Sequence, residues 1–163
     1  MMLKALFLLT LSVISSNVLS QADNTASTKI NIQSDHYKMF NKGEESGYIL
    51  SSNVHITNIN VDIKADKAEI LTSKSGTMKS AIFTGTPVYC LTKGLKEQQL
   101  DATSDSLDYQ EAKGIIIFKG NVTIKRDNTT FEGPEFIYHI KDKTLNGGQT
   151  EGRFHLELSG EAP

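Results

Sequence analysis

Four histidines, one cysteine and a recurring Ser-Asp pair are the groups in this 163-residue sequence that could carry chemistry. His36, His55, His139 and His155 would bind a metal or shuttle a proton if they were gathered with thiols or carboxylates. Each stands singly at an alternating polar position, with no Cys or carboxylate at metal-ligand spacing, so solvated surface positions are the simpler reading. Ser34-Asp35 would interest a hydrolase, but it returns as Ser104-Asp105 at a shift of 70 residues, with Ala65-Asp66 between the two copies. A catalytic pair occurs once. A repeated one suits a structural device at a turn or strand end, in which Asp35, Asp66 and Asp105 accept hydrogen bonds from neighbouring backbone N–H groups. Cys90 has no partner for an internal disulfide and reads as a small apolar core residue. There is no phosphate-cradling glycine loop and no nucleophile elbow, so neither an enzyme nor a cofactor or metal is expected. A net charge of −2 and a pI near 6.1 leave no basic stripe to displace phosphate counterions, which argues against nucleic acid as a partner.

The elements that hold these residues are strands. In Gly114 to Tyr138, GIIIFKGNVTIKRDNTTFEGPEFIY, a β-branched and aromatic run ends at Gly120-Asn121. Val122 and Ile124 then alternate with Thr123 and Lys125, Arg126-Asp127-Asn128 turns the chain, and Phe131, Phe136 and Tyr138 follow in a second extended run. This hairpin recurs. Asn53-Val54 maps onto Asn121-Val122 at a shift of 68, carrying Ile56 onto Ile124 and Ile63 onto Phe131. Phe83-x-Gly85 maps onto Phe118-x-Gly120 at a shift of 35, so the repeat halves to about 35 residues, the sign of stacked units that cannot bury an apolar face alone. Other runs fit the same scheme: Ile30 and Ile32, Tyr48 to Ile56, Ile59 to Thr72, Ala81 to Leu91 with a bend at Gly85-Thr86-Pro87, Leu95 to Tyr109, and Arg153 to Leu158, with a turn at Thr144 to Gly148.

The fold class is therefore all-β, about a dozen short strands in repeated antiparallel hairpins. Their common apolar face must close on itself as two facing sheets or a flattened barrel. One-directional stacking leaves the first strand, Lys29 to Ser34, and the last, Arg153 to Ser159, as edges able to recruit further strands. Upstream, Lys4 and the run Ala5 to Ile14 followed by small residues form a secretory signal peptide over 1–20, with cleavage after Ser20 or Ala22. The run is too short to span a membrane. Residues 21–28 make a polar lead-in, and a single domain fills 29–160.

Ile32-x-Ser34-Asp35, Ser52-Asn53-Val54-x-Ile56, Ile63-x-Ala65-Asp66, Gly85-x-Pro87, Tyr109, Gly120-Asn121-Val122 and Phe131-x-Gly133 together resemble the OstA-like family of periplasmic lipopolysaccharide transport proteins. The resemblance runs from about Ile30 to Gly148 and rests on order and spacing rather than on any single motif. It departs at Cys90, where the family has an aromatic, and in a short C-terminal tail. It implies a twisted, open-ended β-jellyroll in the periplasm whose interior receives the acyl chains of lipopolysaccharide. It also implies end-to-end assembly with itself and with OstA-like domains of inner-membrane and outer-membrane components. On that basis the groove lining falls on Ile30, Ile32, Val54, Ile56, Ile63, Phe83, Tyr109, Phe118, Val122 and Phe131, with Lys74 and Lys79 as candidate phosphate contacts at the rim. A membrane-anchored sister component and a polymerising scaffold that carries no lipid are the alternatives. A carbohydrate-binding module is disfavoured by the absence of Trp.

Overall fold

Alternation of apolar and polar residues over long stretches, interrupted by Gly, Asn and Asp, produces ten strands and one short 3₁₀ turn among the described residues. The computed structural model describes residues 30–43, 45–59, 61–93, 99–148 and 151–158. The expected leader and lead-in lie outside these residues, as do the start of the Leu95 to Tyr109 run and the last residues of the domain. The strands are β1 (Asn31–Gln33), β2 (His36–Lys42), β3 (Glu45–Thr57), β4 (Val61–Thr72), β5 (Met78–Thr92), β6 (Asp101–Gln110), β7 (Ile115–Arg126), β8 (Thr129–His139), β9 (Thr144–Gly147) and β10 (His155–Leu158). The 3₁₀ turn, Glu111–Lys113, is closed by Gly114 at φ 60°. All pairings are antiparallel, in the order β1-β3-β4-β5-β6-β7-β8-β10, with β2 also on β3 and β9 also on β8. The expectation of a turn at Thr144 to Gly148 is corrected: Thr144 to Gly147 pairs with Phe136 to His139 as a strand.

Every long strand is broken near its middle, and the breaks line up. The register shifts between Ser51 and Val54, Lys64 and Lys67, Thr84 and Val88, Thr103 and Ser106, and Lys119 and Val122. Such bulges bend a strand and sharpen its twist, and in β4 and β6 they also change which parity of residue faces inward. In β4, Ile63 and Ala65 are buried before the break and Ala68 and Ile70 after it; in β6, Ala102 and Ser104 precede Leu107. The line of breaks is a crease. On either side of it the sheet doubles back, so that Ile56 and Ile63 from one half share a cavity with Ala81, Phe83 and Ile116 from the other. The result is a twisted antiparallel jellyroll with open ends.

The recurring aspartates clamp this crease. Asp35 accepts a hydrogen bond from the Asn53 side chain at 2.7 Å, and Asp105 from that of Asn121 at 2.9 Å. Asp66 accepts from the Thr86 backbone N–H at 3.0 Å and from its hydroxyl at 3.2 Å. Asn53 and Asn121 both have positive φ, 53° and 45°, a conformation Asn tolerates better than most residues. The expected acceptor role holds for all three carboxylates, although two of the donors are side-chain amides rather than backbone N–H groups. Ser34 and Ser104 repeat as well, each donating its hydroxyl to the carbonyl two residues on.

Candidate functional site: an apolar groove between the two half-sheets

The interior is partly packed core and partly open. Phe118, Val122, Ile124 and Leu107 are fully enclosed, Val54 packs with them, and Leu100 is enclosed beside Thr92 at the far end of the half-sheet. Between the half-sheets lies a cavity of about 430 Å³. One wall is Ile56, Val61 and Ile63, with Ile30 at its edge. The other is Met78, Ala81, Phe83, Tyr109 and Ile116, with Ile140 at its edge. Polar atoms enter only at the lips, where Asn58 belongs to the β3–β4 turn and Thr77 and Glu111 to the turns of the opposite half. The Tyr109 hydroxyl donates to the Glu111 carboxylate, holding it beside the wall. A second hollow lies at the N-terminal edge, lined by Ile32, Gln33, Ser34, Tyr37, Tyr48 and Leu50.

Of the ten lining residues inferred from sequence, Ile30, Ile56, Ile63, Phe83 and Tyr109 are brought together around the cavity between the half-sheets, and Ile32 lines the second hollow. Val54, Phe118 and Val122 sit in the packed core by the crease. Phe131 is half-buried at the C-terminal end, edge-on to Phe136 at 6.3 Å, and Phe136 meets Phe154 in turn at 5.4 Å. Phe154 lies over Gly133, where a side chain would collide with its ring. Lys79 pairs with Glu45 at 3.3 Å, and Lys74 occupies the exposed turn after β4; neither lines the cavity. Val61, Met78, Ala81, Ile116 and Ile140 were missed. Ile116 and Ala81 lay in plain sight within the Ile115 to Phe118 and Ala81 to Leu91 runs, whereas Met78 follows a polar turn outside any run.

The cavity walls are aliphatic and aromatic, and the polar side chains that line it belong to turns at its mouth. His55 is the one histidine with a hydrogen-bonded carboxylate among the described residues, Asp62 at 2.9 Å across the β3–β4 hairpin, and so departs from the expectation of a merely solvated ring. Among the described residues no group of three or more His, Cys, Asp or Glu could hold a metal. Cys90 is fully buried, as expected of a core residue, and burial pushes its thiol up to about 12. The native state thus keeps the proton where an unfolded thiol, of pKa about 8.5, loses it. The resulting stability is complete below that value and drains away as pH rises toward 12, by about 1.4 kcal/mol per unit. Urea unfolding at about pH 8 and about pH 10 should show wild type losing roughly 2 kcal/mol more than Cys90→Ala over that interval. Equal losses in the two proteins would mean that the thiol ionises natively.

A family model described as LptA/(LptD N-terminal domain) LPS transport protein matches residues 31–144. Among solved structures the chain is similar to LptH of Pseudomonas aeruginosa, described as the LptA-homologous periplasmic component of the lipopolysaccharide transport device. The TM-score is 0.70 at 14% identity, covering 82% of this chain and 97% of that one, which is likeness of fold. Comparison with curated proteins finds no match.

Proposed function

Because the chain belongs to the LptA/LptD N-terminal domain family of lipopolysaccharide transport proteins, we propose that it is a periplasmic bridge protein whose groove shelters the acyl chains of lipopolysaccharide in transit. The observation that supports this most is the cavity itself: two half-sheets held apart by a crease, with aliphatic and aromatic walls and polar groups confined to the lips. A lipid with several acyl chains cannot cross an aqueous compartment unaided, since each exposed methylene costs about 0.8 kcal/mol. An open trough lowers that cost without closing over the sugars. The domain has no nucleotide-binding motif, so directional work comes from a partner.

Assembly follows from the two ends. Among the described residues β1 and β10 each have one neighbour, on β3 and β8, and their other sides are unsatisfied sheet edges. Exposed Ile32, Tyr37 and Met39 accompany the first edge, and Leu156 and Leu158 the last. We read these as the faces that join copies of the chain end to end and engage the related domains at each membrane, after export on a cleaved leader.

Photo-crosslinking tests the lipid reading. A crosslinking residue at Ile56 or Tyr109, on opposite walls, is expected to form lipopolysaccharide adducts. Lys125, exposed on the outer face, is the control and should give none. Adducts at Lys125 alone would reverse the assignment of faces, and none at any site would favour a scaffold that carries no lipid.

A further inference from the structure

Each lip of the groove carries a charged side chain held by a hydrogen bond. On the lip formed by Glu111 and Thr77, the charged group lining the cavity is a carboxylate bound by the Tyr109 hydroxyl, with Lys113 at the other end of the same 3₁₀ turn. On the other lip the β3–β4 turn is fixed by two hydrogen bonds, from the Asn58 N–H to the Val61 carbonyl at 3.0 Å and from the Val61 N–H to the Asn58 side-chain oxygen at 2.8 Å. Lys93 reaches this turn. It follows the end of β5, where Thr92 pairs with Val61, and its Nζ donates to the Asn58 carbonyl at 3.2 Å. Asn58 and Val61 both line the cavity, so the ammonium is anchored at its mouth.

What holds Lys93 decides what it can do. Lys79 and Lys119 are engaged by carboxylates, Glu45 at 3.3 Å and Glu135 at 3.9 Å. The acceptor of Lys93 is a neutral carbonyl, which positions the ammonium without cancelling its charge and uses one of its three donors. Resting on the lipid-carrying reading above, we propose that Lys93 grips a phosphate of the acylated sugar whose chains occupy the groove, orienting its anionic side toward the β3–β4 turn and away from Glu111. The contact adds specificity rather than bulk affinity, because an exposed ion pair is weak while the apolar walls supply most of the hold.

The test compares bisphosphorylated lipid A with its phosphate-free counterpart, dispersed in the same detergent, binding to wild type, Lys93→Gln and Lys93→Arg. Lys93→Gln is expected to weaken the phosphorylated lipid by about threefold to tenfold and to leave the phosphate-free lipid unchanged, with the thermal midpoint unaltered. Lys93→Arg should retain most of the preference. Excess inorganic phosphate should not displace the lipid; competition would identify a site for the free anion and overturn the headgroup assignment. Equal losses for both lipids, or no loss for either, would overturn the role of Lys93 while leaving the groove reading in place. A wild type that binds neither lipid would overturn both.

Discussion

Replacing Ala81 by Phe is expected to weaken lipopolysaccharide binding by about tenfold or more in a chain that still folds. Ala81 pairs with Ile70 on β4 and Tyr109 on β6, and it lines the cavity wall between Met78 and Phe83. A ring built there has one open direction, into the space between the half-sheets. Overpacking of this kind costs about 1–3 kcal/mol of stability. If it expels only two methylenes of a bound chain, the loss is about 1.6 kcal/mol, a little over tenfold. Titration with lipopolysaccharide, together with the adduct yield from a crosslinker at Ile56, measures the effect. Undiminished binding by a folded Ala81→Phe protein would show that the chains lie elsewhere, with the N-terminal hollow lined by Tyr37 and Tyr48 the next place to look.

Gly120→Ala should destabilise the fold by about 2–4 kcal/mol. Gly120 has φ 75°, where a side chain costs about 1–2 kcal/mol. A Cβ there would also stand 2.4 Å from the Asp105 carboxylate oxygen that accepts from Asn121. Moving that carboxylate aside forfeits a charge-assisted hydrogen bond, about another 1–2 kcal/mol at an exposed site. The two costs share one atom, so they are coupled. Asp105→Ala alone should be mildly destabilising, and the double variant should be more stable than the sum of the single changes implies. Urea denaturation of the four proteins measures this, and strict additivity would mean that the carboxylate does not clamp the crease.

Much of this architecture was legible in the residues. The alternation within Val122 to Lys125 and Val61 to Lys64 fixes which side chains face inward, and the repeated Asp35, Asp66 and Asp105 signalled a structural device, read as a turn or strand end, whereas Asp66 and Asp105 lie inside β4 and β6 at the crease. The lining of the groove was less legible, for a physical reason. Period-two alternation separates the inner face of a sheet from the outer, but it is silent on which inward residues meet packed side chains across the interior and which meet open space. Val122 and Ile56 have the same pattern on either side. One is packed solid and the other borders open space, yet Ile124, the repeat counterpart of Ile56, is packed as well, so the outcome depends on which strands face one another across the interior, a property no single strand carries. Thr144 to Gly147 was misread as a turn for a related reason: its asparagine and glycine signal a loop locally, while the unpaired edge of β8 recruits the backbone into a strand.

Each aspartate clamp is self-contained, reaching only from one strand to the next, so no unit of the crease depends on a distant one. Adding or deleting a hairpin would lengthen or shorten the molecule in fixed increments while leaving its cross-section untouched. The span such a molecule can cover is therefore quantised, set by how many units the gene encodes rather than by any adjustment of the individual turns.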